Sequence, residues 1–314
     1  MAAVAVAGAA SAQVAITGTV SAGWAMTTNK NAADGSATAS AGGWGMDSGN
    51  IAFTATEDLG AGMSVTAKAN LKGISHANAV LSDTSSLTLA GGFGTVALTS
   101  GYESCDGLSQ QGFGVRFDEV KTSGVGQTAS APQGFYCAGS VGDALKYTTP
   151  ELVPGLTAAI LVGDNAANVA GRVKAVTTYV NYAAGPLAVG FNTTSYEAAV
   201  YGQKDNKIRV TASYDLGVAK IAFGNQKGYV TAGDKDDRSV YGVSIPMGAM
   251  TAAVGYASID TTTSGVVAKT TGTSINLKYA LSKRTSLSYD GLNVATDIAG
   301  NPTSFNRLVL AHTF

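Results

Sequence analysis

The chain has 314 residues, a formal net charge of −1 and only 13% charged residues, about half of the roughly 25% usual for soluble domains. Near-neutral charge leaves no electrostatic footprint for nucleic acid, and no run of about 18 apolar residues offers a transmembrane helix. A chain of this kind still belongs in a membrane if its strands close into a barrel, because closure satisfies every backbone group internally.

Residues 1–12, MAAVAVAGAASA, read as an apolar stretch ending in a small-residue cleavage pattern, the remnant of a secretory signal without a basic start. The alternative is an Ala-rich terminus with no role. One domain is expected over 13–314. Export implies an oxidising compartment, in which a disulfide persists.

From Val14 to Met26 the sequence alternates. Val14, Ile16, Val20, Ala22, Trp24 and Met26 share one face, and Thr17, Thr19, Ser21 and Gly23 the other. This is the period-2 signature of a strand with one oily side. A polar loop over Thr27 to Gly42 is expected next, then a strand from Asn50 to Glu57 and a turn at 58–62. Met63 to Gly73 alternates most cleanly: Met63, Val65, Ala67, Ala69 and Leu71 against Ser64, Thr66, Lys68, Asn70 and Lys72. A lysine facing lipid at the midplane costs about 2–4 kcal/mol, so Lys68 and Lys72 are expected to face water.

The rhythm then recurs. Hairpins are expected at Ser86–Gly101, Asp143–Val162, Ala175–Ser195, Ile208–Asn225, Arg238–Ile259 and Thr273–Asn293, with a last strand from Ser304 to Phe314. This gives sixteen strands with short turns on one rim and longer loops on the other. Pro150, Pro154, Pro186, Pro246 and Pro302 are all placed in connections, where a missing N–H breaks no ladder. The expected fold is all-β: a 16-stranded antiparallel transmembrane barrel. Soluble β-helices and propellers need a repeat at fixed period, and none is found.

One stretch breaks the rhythm. Tyr102 to Gly142 carries both cysteines, Cys105 and Cys137, and the charges Glu103, Asp106, Arg116, Asp118, Glu119 and Lys121. An insert of about forty residues without alternation is either functional or disordered. It is expected to fold into the barrel as its third external loop and narrow the lumen. Paired cysteines would stabilise such a loop by roughly 3–4 kcal/mol; two unrelated thiols are the alternative.

Several segments resemble the general trimeric porins of Gram-negative bacteria, of the proteobacterial type ending in His-x-Phe. They are Glu57-Asp58-Leu59-Gly60-Ala61-Gly62-Met63, Gly91-Gly92-Phe93-Gly94-Thr95-Val96, Leu145-Lys146-Tyr147-Thr148-Thr149-Pro150, Ala212-Ser213-Tyr214-Asp215-Leu216-Gly217, Tyr279-Ala280-Leu281-Ser282-Lys283-Arg284-Thr285 and Leu310-Ala311-His312-Thr313-Phe314. The resemblance implies an outer-membrane homotrimer that passes small hydrophilic solutes and ions by diffusion. It also implies loop acids facing wall bases across a constriction, and an aromatic C-terminus, Phe314, read by the outer-membrane assembly machinery.

On that reading the constriction acids are Glu103, Asp106, Asp118 and Glu119, and the bases Lys68, Lys72, Lys146 and the loop residue Arg116. Arg209, Lys278 and Arg307 also fall on polar faces. Here the acids are scattered rather than gathered in one motif, and the wall bases are mostly lysines. For each charge the alternative is a solvated rim residue, because strand register decides which face it takes. Trp24, Trp44 and the tyrosines near strand ends are candidates for aromatic girdles.

No cofactor is expected. Asp234, Asp236 and Asp237 have the chemistry of a Ca²⁺ site, though a solvated external loop explains them as well. The only histidines, His76 and His312, are placed far apart, and neither is paired with a nucleophile. The functions to separate are a general diffusion channel, a channel preferring anions or small organic solutes, and a non-conducting barrel acting as adhesin or structural anchor; an enzyme lacks a credible nucleophile.

Overall fold

The computed structural model describes residues 13–30, 37–72, 81–100, 121–122, 127–128, 143–164, 175–196, 206–229, 235–263, 265–296 and 303–314. The strands are β1 (Gln13–Lys30), β2 (Ala37–Gly60), β3 (Met63–Lys72), β4 (Leu81–Gly91), β5 (Gly94–Ser100), β6 (Lys121–Thr122), β7 (Gln127–Thr128), β8 (Asp143–Thr148) and β9 (Leu156–Asp164). They continue as β10 (Ala175–Ala184), β11 (Leu187–Tyr196), β12 (Asn206–Asp215), β13 (Lys220–Tyr229), β14 (Lys235–Met247), β15 (Met250–Thr263), β16 (Val266–Ala280), β17 (Thr285–Thr296) and β18 (Thr303–Thr313). All but β6 and β7 pair antiparallel with their neighbours in one closed ring of sixteen strands. The ring shuts where β1 meets β18, in register from Thr19↔Thr313 to Asn29↔Thr303. Within the 102–142 stretch only β6 and β7 are described, paired to each other.

Short turns join strands along one rim, and their chemistry repeats. In Asp58-Leu59-Gly60 and Asp215-Leu216-Gly217 the aspartate Oδ1 accepts the glycine N–H at 2.8 Å, a side-chain mimic of a backbone turn. Gly94 opens β5 with φ 101°, and a Cβ there would lie 2.2 Å from the Thr148 carbonyl, so glycine is required both for its backbone angle and for the approach of β8.

The pattern of exposure is inverted relative to a water-soluble protein. Along β10, Ala175, Thr177 and Tyr179 are buried while Val176, Thr178 and Val180 are exposed. Across the barrel the exposed residues include Leu98, Ile160, Val210, Val254 and Ile275, and the buried ones include Lys207, Arg209, Asp236, Asp290 and Arg307. An outer surface this apolar is stable only in lipid, so alternation sorts oily side chains outward and polar ones to the lumen. Among the described residues no helix is long and apolar enough to cross a membrane; the strands do the crossing.

Two expectations are corrected. The loop placed over Thr27 to Gly42 is mostly strand, because β1 runs to Lys30 and β2 starts at Ala37. Beyond the lipid a strand no longer has to alternate, so its outer end reads as loop. Pro246 lies inside β14, opposite Thr251, rather than in a turn. It is tolerated because Ser244 is the last β14 residue in register with β13, leaving the proline nitrogen outside that ladder. The lumen is also less uniformly polar than alternation implies: Ala25, Val240, Ala253, Ala257, Leu292, Val294 and Phe305 form an apolar cluster on the inner face.

The outer face carries aromatic side chains at two levels. Tyr147, Tyr182, Tyr214 and Tyr279 lie toward the short-turn rim and are exposed, and the Tyr147 hydroxyl donates to the Phe93 carbonyl at 2.8 Å. Farther up, the rings of Phe223, Tyr241 and Tyr256 follow one another at 5.3 and 6.3 Å. Trp24 stands opposite Trp44 across β1 and β2.

Candidate functional site: the charged lumen wall

Register decides which charges line the lumen. Lys68 is opposite Thr54 on β2 and Ser86 on β4, and Lys72 is opposite Asn50; their outward neighbours on β3 are Ala67, Ala69 and Leu71. Both lysines therefore point inward. Lys146 is opposite Ala97 on β5 and Leu161 on β9. Its Nζ lies 5.2 Å from the centre of the Tyr179 ring, a cation–π contact that fixes it on the wall. Arg209 and Arg307 are buried inward residues, and Lys278, opposite Thr251 and Ser288, shares their side of the sheet.

Alternation also carries Lys207, Arg238 and Asp290 to the lumen, which the sequence reading passed over. Lys207 was missed because the strand was started at Ile208, although it lies two residues before Arg209 on the same face. Arg238 holds Asp236 in a fork, with Nε to Oδ1 at 2.5 Å and Nη2 to Oδ2 at 2.6 Å. Arg307 holds Asp290 through Nε at 3.1 Å and Nη2 at 2.8 Å, and the Asn276 amide donates to the same carboxylate. Facing inward between the rims, among the described residues, are Lys68, Lys72, Lys146, Lys207, Arg209, Arg238, Lys278 and Arg307 against Asp236 and Asp290. Each of those two acids is held by an arginine, so among the described residues this part of the wall carries more bases than acids.

The expected constriction acids Glu103, Asp106, Asp118 and Glu119, together with Arg116, Cys105 and Cys137, lie outside the described residues, as do residues 1–12, His76, Pro302 and Asp234. Asp236 and Asp237 take opposite faces of β14: Asp236 faces Arg238 in the lumen, and Asp237 on the outer face accepts from the Asn225 amide at 2.9 Å and pairs with Lys227 at 3.5 Å. His312 sits on the outer face at the short-turn rim, its Nδ1 2.9 Å from the Thr285 hydroxyl. Among the described residues no three His, Cys, Asp or Glu side chains stand together as a metal site.

Phe314 completes the ring. Its N–H donates to the Gly18 carbonyl and its carbonyl accepts from Gly18 N–H, both at 3.0 Å.

The comparisons with known proteins agree with this geometry. A family model described as Gram-negative porin matches residues 1–296. The fold is similar to that of an anion-selective porin from Comamonas acidovorans (TM-score 0.75, 22% identity, 97% of this chain and 100% of that one). It is also similar to OmpT of Vibrio cholerae in its trimer form (TM-score 0.71, 12% identity, 97% and 100%), and to a multiple mutant of the Rh. blastica porin (TM-score 0.69, 12% identity, 96% and 100%). A search of curated protein sequences gives no match. With a family match over almost its whole length and a closed barrel lined by charge, the chain belongs to the Gram-negative porins and is a passive diffusion channel of the outer membrane rather than an enzyme.

Proposed function

We propose that this porin passes small hydrophilic solutes with a preference for anions. The observation that carries the reading is the surplus of inward bases, with Asp236 and Asp290 both held by arginines. Charges lining a narrow aqueous passage bias which ions enter it. The likeness in fold to a porin described as anion-selective agrees with this reading. The acids Glu103, Asp106, Asp118 and Glu119, with Arg116, belong to an inward third loop that faces Lys68, Lys72 and Lys146 across the eyelet. Cys105 and Cys137 are paired and limit that loop's excursions. The working unit is a homotrimer, as in the trimer form of OmpT, and the assembly machinery reads Phe314.

The test is the reversal potential of the purified protein in a planar bilayer under a KCl gradient. The anion-selective sign is expected, with conductance rising in steps of three; the cation-selective sign overturns the preference. A free-thiol assay on the unreduced, denatured chain checks the cysteines, where two reactive thiols rule out the pair.

A further inference from the structure

On β13, β14 and β15 three rows of outward side chains follow one another toward the long loops. The first is aromatic, with Phe223 opposite Tyr241 and Tyr241 opposite Tyr256. Two residues farther along each strand, Asn225 is opposite Ser239 and Ser239 opposite Ser258. Two farther again, Lys227 is opposite Asp237 and Asp237 opposite Asp260. Successive rows are about 6–7 Å apart along the strands. The two serines are short beside the rings on one side and the charged side chains on the other. The sheet surface therefore dips into an outward-facing hollow of about 510 Å³, with Val210 and Phe223 as its apolar wall.

The charges in the hollow do not cancel. Asp237 accepts from the Asn225 amide at 2.9 Å and pairs with Lys227 at 3.5 Å. Asp260 is exposed and directly opposite Asp237, and neither Asn225 nor Lys227 is bonded to it. Lys269, across the next strand pair from Asp260, has a partner of its own and lies outside the hollow. Like charges directly opposed across a strand pair repel, so a cation brought to Asp260 from outside the chain relieves this one. Aromatic side chains on a barrel of this kind mark the edge of the apolar band, which puts the charged row level with lipid headgroups. From apolar wall through hydroxyls to charge, the hollow repeats the order of parts in a phospholipid. An acyl chain fits against Val210 and Phe223, phosphate and ester oxygens accept from Ser239, Ser258 and Lys227, and an ammonium group meets Asp260. A head with net negative charge would face two carboxylates instead.

We propose that the hollow between β12 and β15 is a docking site for one phospholipid with an amine-bearing headgroup, its ammonium held by Asp260. The site is on the opposite face of the sheet from the pore and is independent of the ion preference.

The test titrates the full-length protein in detergent with phosphatidylethanolamine or phosphatidylglycerol of identical acyl chains, and counts the lipids retained per barrel by native mass spectrometry. One saturable phosphatidylethanolamine is expected, with phosphatidylglycerol held more weakly. Asp260→Asn should weaken phosphatidylethanolamine retention roughly 2–10-fold, the equivalent of one hydrogen bond. Asp260→Lys should turn the preference toward phosphatidylglycerol. Equal retention of the two lipids by the wild type overturns the site, as does retention unmoved in Asp260→Asn barrels that keep the wild-type shift in gel mobility on heating. Phosphatidylglycerol held as tightly as phosphatidylethanolamine once Mg²⁺ is added would assign the carboxylates to a metal ion and overturn it too. The KCl reversal potential of Asp260→Asn should match the wild type; a shift would place Asp260 in the lumen and sink the proposal.

Discussion

Gly18 and Phe314 exchange both backbone hydrogen bonds at 3.0 Å, and the Phe314 ring lies where a side chain on Gly18 would have to go. A Cβ at position 18 would be 2.4 Å from the ring's Cζ and 2.6 Å from the Asn50 carbonyl. At this end of the barrel seam position 18 thus has no room for a side chain. Gly18→Ala forces the ring outward and strains β2, and overpacking of this kind costs about 1–3 kcal/mol. The folded form should unfold at lower temperature, followed as the shift in gel mobility on heating. Phe314→Ala removes the ring, so Gly18→Ala should cost less in that background than alone, because neighbours sharing one space do not add. Strict additivity would show that ring and glycine do not compete.

That relationship was invisible in the sequence, whereas the barrel itself was not. Alternation in β3 assigns Lys68 and Lys72 to the lumen face, because a one-residue slip would put both ammonium groups into lipid. Such a penalty makes the period-2 signal informative within the membrane and uninformative above it, which is why the ends of β1 and β2 read as loop. Lys207 was lost by a strand start two residues late. The Gly18–Phe314 seam depends on which strands are neighbours, information that no local pattern holds. The pairing of Arg238 with Asp236, two residues along one face, was legible in principle but was read as part of an acidic cluster.

Asp290 and Arg307 form an enclosed ion pair on the wall, with side chains 12% and 4% exposed. Removing one partner of a buried pair leaves an uncompensated charge at a cost of about 3–5 kcal/mol; water in the lumen should bring the figure to the lower end. Asp290→Ala is therefore expected to destabilise the barrel by about 3 kcal/mol in urea unfolding, and Asp290→Asn by less, since an amide still accepts from the guanidinium. The double variant Asp290→Leu with Arg307→Met should recover most of the loss. Equal losses for Asp290→Ala and the double variant would mean that the pair does not hold the wall together.

Lys227 and Asp237 face each other on the outer surface of β13 and β14, 3.5 Å apart and roughly half exposed. Near them on the same face are Asn225, Ser239, Ser258 and Asp260, a polar notch in an otherwise apolar exterior. An exposed pair is worth about 0–1 kcal/mol in water, but a lone lysine facing lipid costs about 2–4 kcal/mol at the midplane and about 0–1 near the interface. Asp237→Leu should therefore destabilise the protein more in lipid vesicles than in detergent, by about 1–2 kcal/mol. Lys227→Leu with Asp237→Leu should be at least as stable as wild type in vesicles. An unchanged stability of Asp237→Leu in both media would place the notch outside the bilayer.

The proposed preference for anions, resting on wall charges, is a function of salt. Screening lengths run from about 30 Å at 0.01 M to about 3 Å at 1 M, so at low salt the inward bases act across the lumen and at high salt only on ions they touch. The anion preference of the wild type should therefore be strongest at 0.01 M and largely gone at 1 M. Lys146→Glu replaces a base held over the Tyr179 ring at 5.2 Å by an acid, and should move the reversal potential toward cations at every salt, most at 0.01 M. Tyr179→Leu keeps the charge but removes the ring that fixes it, a contact worth about 0.5–1 kcal/mol, and should shift the potential far less. A reversal potential for Lys146→Glu indistinguishable from wild type at low salt would show that this part of the wall does not see the permeating ion.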